Sequence, residues 1–280
     1  MSLHALTLVA ALAGCAGEEP AKAPVAEVPT QPTAPVAPPA ELDLSALKSG
    51  ATNVALVPSP VEMQKALEKA GIAQQLESLV QQRTLKPDAQ DKDVIAVRTG
   101  VLLADALLTV KTAPPERLIE RLTLVRAGLE KLGAGDDVLR TADDLVAQVK
   151  NVGGGSRDKI VEELDAMHGA VLPAIEYKAG AQVVPLIQAG GWLEGSNLLA
   201  AAVLASDKVA VGNDLLRQPQ IASYFLDYVK LEGRAQAPEA VIKKLNATLT
   251  RLKEIASQPS LSKADVEEIK AQTDSVLGML

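Results

Sequence analysis

Residues 179–206 read AGAQVVPLIQAGGWLEGSNLLAAAVLAS, 28 residues between Lys178 and Asp207 that hold a single charge, Glu194. A helix of that length is long enough to cross a bilayer. The polar content points elsewhere. Gln182, Pro185, Gln188, Glu194 and Asn197 interrupt the run, and a carboxylate near the middle of a bilayer costs roughly 3 kcal/mol or more. The stretch therefore reads as a central helix buried inside a protein. Gly191 and Gly195, four apart, share a face of it, and with Gly190 they form a flat surface that lets a second helix approach closely.

A second apolar segment, VLLADALLTV at 101–110, carries one carboxylate in its middle, Asp105. Burial of an ionised carboxylate without compensation is costly, so Asp105 and Glu194 must each meet an Arg, a Lys or helix-end amides, or else line a wet cavity. Two such residues in apolar helices suggest a shared polar centre. Its candidate members are Asp105, Gly191, Trp192, Glu194, Gly195 and Asn197. Two readings of it stay open: polar core groups that fix helix register, or a ligand pocket beside Trp192.

Outward from these segments the punctuation is that of helices. Ser59, Pro60, Val61, Glu62 is a capping box with Pro at the first helical position. It starts a helix that continues in two pieces to Gln82, with Gly71 as the break. Helices are expected from Asp93 to Lys111, from Pro114 to Gly133 and from Asp136 to Asn151, the last stopped by Gly153, Gly154 and Gly155. Ser156 caps the next, with Ile160, Leu164, Met167 and Val171 on one face, and Pro173 kinks rather than ends it. Pro219 to Leu231, Pro238 to Ala256 and a helix capped by Ser262 complete the series. No sustained alternation of period two and no fixed-length repeat is present. With 48% hydrophobic and only 2% aromatic residues, the core is built from Leu, Val, Ile and Ala. The fold class is all-α, a bundle of about eight to ten helices.

The first forty residues differ in kind. An apolar run from Ala5 ends in Leu12, Ala13, Gly14, Cys15, and residues 16–40 hold seven prolines among Ala, Val, Thr and Glu. Such a composition favours polyproline II, a stiff tether of roughly 3 Å per residue. The tetrapeptide resembles the lipobox of bacterial lipoprotein precursors, a branched apolar residue, two small ones and a Cys. That resemblance implies cleavage before Cys15 and acylation of its thiol, which suits the chain's one cysteine. Met1 to His4 lack the basic residues of an export signal, which an upstream start codon would supply. The expected organisation is a signal peptide at 1–14, the acylated Cys15 with a tether to residue 42, and a helical domain at 43–280. Ala16 is not Asp, which by resemblance to enterobacterial sorting favours the outer over the inner membrane.

Three patches in order, Pro58-Ser59-Pro60, Gly100 to Asp105 and Ala189 to Gly195, are similar to segments of uncharacterised helical lipoproteins of other bacteria. That likeness implies one fold from about Pro58 to Leu204 and brings no function.

Catalytic chemistry is thinly supplied. His4 would leave with the signal peptide, and His168 is then the only histidine. Asp165 and His168 share a helical face, but a di-iron bundle needs two Glu-x-x-His groups and two further carboxylates. The Gly153–Gly155 loop ahead of a helix has neither a nucleotide fingerprint nor a preceding strand. The formal charge of −7 gives no general attraction to nucleic acid. No cofactor and no metal are expected. The expected function is a non-catalytic, membrane-anchored module that binds a protein partner. The alternative is a carrier or sensor of a small or lipidic ligand, which needs a pocket of ~300 Å³ or more near Asp105, Trp192 and Glu194.

Overall fold

Helix α1, Pro60–Lys69, is the first helix of the described residues and shows how local chemistry sets its ends. Ser59 Oγ accepts from the Glu62 backbone amide at 3.2 Å, and the Glu62 carboxylate accepts from the Ser59 amide at 2.8 Å. At the other end Gly71 adopts φ +67°, and the Ile72 amide reaches back to the Leu67 carbonyl. A left-handed residue there closes a Schellman-type cap, and glycine adopts it without a Cβ penalty. This computed structural model describes residues 57–81, 85–151, 156–179, 183–232 and 239–280. The lipobox, the tether and the Gly153–Gly155 loop lie outside the described residues, as do Gly180 and Gln182 and the side chains of His168, Val171 and Pro173.

A 3-10 turn at Ala73–Gln75 and a one-turn helix α2, Leu76–Leu79, follow. Then come α3 (Lys92–Thr109), α4 (Pro115–Lys131), α5 (Asp136–Asn151), α6 (Arg157–Ala179) and α7 (Val183–Ser206). The chain ends with α8 (Val209–Leu215), α9 (Pro219–Glu232), α10 (Glu239–Ala256) and α11 (Lys263–Leu277). The all-α bundle is as expected: eleven α-helices and no strand among the described residues. Two of the eleven are short, and α8 has no separate signal in the apolar pattern. The described residues all belong to one unit, Ser45–Leu280.

The architecture is organised on α3 and α7, which share the most extensive helix contact. Helices α4, α5 and α6 stack outward from α3 in sequence, and α6 returns to touch α7. On the other side α11 lies on α7, α10 on α11 and α9 on α10. Short connections make sequential helices antiparallel, so the four reversals from α3 to α7 leave that central pair parallel. Helix α1 confirms the direction by spanning both. Near its start, Pro60 shares a cavity wall with Leu103 and Trp192; near its end, Glu68 pairs with Lys111 at 2.9 Å and Ala70 O accepts from Lys208 Nζ at 2.9 Å.

No helix among the described residues is long and apolar enough to cross a membrane. Helix α7 is instead buried on every side from Gly190 to Val203, the burial expected for its sequence.

Candidate functional site

The crossing of α3 and α7 is a backbone contact made possible by two glycines. A Cβ at Gly100 would lie 2.8 Å from the Ile187 carbonyl carbon and nearer still to its oxygen. One at Gly190 would lie 2.9 Å from the Val97 carbonyl carbon, again with the oxygen nearer. Gly191 is looser, its Cβ position 3.5 Å from Gly100 O, an ordinary contact. Gly195 meets α1, because the Met63 side chain occupies the place a Cβ would need. The flat surface expected on Gly191 and Gly195 is thus divided: Gly190 with Gly100 carries the helix crossing, and Gly195 seats a methionine. A fourth glycine, Gly128 of α4, makes room for the Thr99 hydroxyl of α3.

The parallel register places the two carboxylates at one level. Asp105 lies just over one turn beyond Gly100 on α3, and Glu194 about one turn beyond Gly190 on α7. Both are buried, Glu194 completely and Asp105 at 8% exposure. Neither is left without an interaction, as the cost of burial requires. Neither lines the cavity beside Trp192, which is walled by Val57, Pro58, Pro60, Gly100, Leu103, Ile187, Gln188, Gly191 and Trp192. That cavity measures about 20 Å³, space for roughly one water.

Trp192 packs its ring on Phe225 of α9, centroids 5.5 Å apart and tilted by 41°, and Phe225 meets Tyr224 edge-on at 5.1 Å. Burial raises the Tyr224 hydroxyl pKa. In a chain this poor in aromatics, the cluster fastens α9 to the central helix.

Asn197 is spent on a neighbour. Its amide nitrogen donates to Thr273 Oγ1 at 2.9 Å, Asp274 Oδ1 at 2.6 Å and the Lys270 carbonyl at 3.3 Å. It is 1% exposed, so these bonds clamp α11 to α7 from a buried amide. Asp274 also accepts from Lys270 Nζ and from Gln81 Nε2, each at 2.5 Å.

A polar path absent from the sequence reading runs beside this centre. Arg121 of α4, buried, holds Glu77 of α2 with its two terminal guanidinium nitrogens, Nη1 and Nη2, at 2.5 and 3.0 Å, and Nη1 also donates to Thr109 Oγ1 at 2.6 Å. Thr109 in turn donates to the Asp105 carbonyl at 2.5 Å. The signal for Arg121 was its position between Leu118 and Val125 on the apolar stripe of α4. Arg157 closes α3 by donating to the carbonyls of Val110 and Ala113, at 3.0 and 3.1 Å. Lys111 bridges Asp158 and Glu68, whose bonds raise its pKa.

Among the described residues, no group of three or more His, Cys, Asp or Glu is placed to hold a metal ion. Gly190, Gly195, Trp192 and Asn197 each meet a neighbouring helix, and the cavity beside Trp192 has space for about one water. No protein-family model, curated protein or solved structure matches this chain.

Proposed function

We propose that this chain is a lipoprotein of the bacterial cell envelope. It is anchored by acyl chains on Cys15, in the outer rather than the inner membrane, and its helical domain is a non-catalytic module that binds a protein partner in the periplasm or at the cell surface. The anchor rests on the resemblance of Leu12-Ala13-Gly14-Cys15 to a lipobox. A single acyl chain binds a membrane only marginally, whereas two or three on one residue hold it stably.

The observation that carries the binding role is the way the central residues are used. Gly190 is spent on a helix crossing, Gly195 on Met63, Trp192 on Phe225 and Asn197 on α11. Recognition is then left to the outer faces of the bundle. A ligand carrier with its pocket at Trp192 has less support, because a cavity of about 20 Å³ there falls far below the ~300 Å³ of ordinary ligand sites.

Two measurements test the proposal. Cells fed a palmitate analogue should label the wild type and not Cys15→Ser, and the variant should leave the membrane fraction. A variant that stays with the membrane beside an unlabelled wild type overturns the anchor. For the partner, a photo-crosslinking residue at exposed positions such as Lys65, Arg140 and Lys253 should trap a discrete protein in cells. No trapping at any position, with a small molecule retained by the purified protein in native mass spectrometry, would replace this reading with the carrier.

A further inference from the structure

We draw no further inference here: the strongest candidate, the open groove of about 320 Å³ beside α1, lined by Pro58, Glu62, Met63, Ala66, Leu199, Leu215 and Gln218, carries no proposal because nothing in the structure shows what covers it.

Discussion

Neighbouring glycines on α7 should respond in opposite directions to the same substitution. In Gly190→Ala the new methyl group stands 2.9 Å from the Val97 carbonyl carbon, with the oxygen nearer still, against the ~3.5 to 4.0 Å that two non-bonded carbons prefer. The obstacle is backbone, which cannot turn aside as a side chain can, so α3 and α7 must part by roughly 1 Å. A gap of that size forfeits about a quarter to a half of each dispersion contact it opens, and overpacking a core costs ~1 to 3 kcal/mol, occasionally more. The crossing is the most extensive in the molecule, which places the cost at the upper end. Against it stands the ~1 kcal/mol by which Ala exceeds Gly in a helix interior. The net expectation is a loss of about 2 to 3 kcal/mol. At ~2 to 4 °C per kcal/mol for a domain of this size, Tm falls by about 4 to 12 °C. Gly191→Ala meets only Gly100 O at 3.5 Å, so helix propensity prevails and Tm should rise by ~1 to 4 °C. Thermal melts followed by circular dichroism at 222 nm, with calorimetry for the enthalpy, measure both. Equal shifts of the same sign in the two variants would refute the backbone-contact argument. Gly100→Ala is the companion test, since it meets the same crossing from α3 and should behave as Gly190→Ala does.

Asn197→Ala removes the donor that holds Thr273 and Asp274 in a buried site; urea denaturation should show a loss of about 2 to 3 kcal/mol with an unchanged m-value, and a loss under 0.5 kcal/mol would mean that the clamp contributes little. The Asp207 backbone sits at φ +54°, where α7 ends with the Lys208 amide bonded to the Val203 carbonyl. Asp207→Gly should therefore stabilise by ~0.5 to 1 kcal/mol through relief of left-handed strain, despite losing a 3.5 Å exposed pair with Lys263; a drop in Tm would contradict this. Bonds from Ser262 lower the Asp265 pKa, and a bond from Arg251 lowers that of Glu268. Depressed carboxylates contribute stability above their unfolded values of ~3.9 and ~4.3, and that contribution is lost as pH falls below about 4. Ser262→Ala should make the acid-side decline in Tm shallower between pH 5 and 2.5, and an unaltered slope would show that the cap does not control Asp265.

Where a signal is local, it was legible in the residues. Ser59 with Glu62, Ser262 with Asp265, and the left-handed Gly71 and Gly133 act within one turn of chain, so their meaning does not depend on the rest of the fold. Helix α5 is of the same kind: Ala142, Leu145 and Val149 are its buried residues, one stripe that declares which side faces inward. The apolar composition of 179–206, with its interrupting polar groups, likewise sufficed to place α7 inside the protein.

The arrangement around α7 was not legible, and the reason is physical. A helix buried on all sides has no stripe, so periodicity cannot say which glycine meets which neighbour, or whether that neighbour runs parallel to it. Pairing Gly190 with Gly100 and seating Met63 on Gly195 depend on three intervening helices that bring α3 and α7 into one register. The same register decides that Asn197 reaches α11, and that the cavity beside Trp192 has space for about one water. Sequence alone determined the helical class, the caps and the burial of the central segment, because these follow from short-range hydrogen bonds and composition. Tertiary structure alone decided how its polar residues are used, because a buried group's role is set by the partner that long-range packing brings to it.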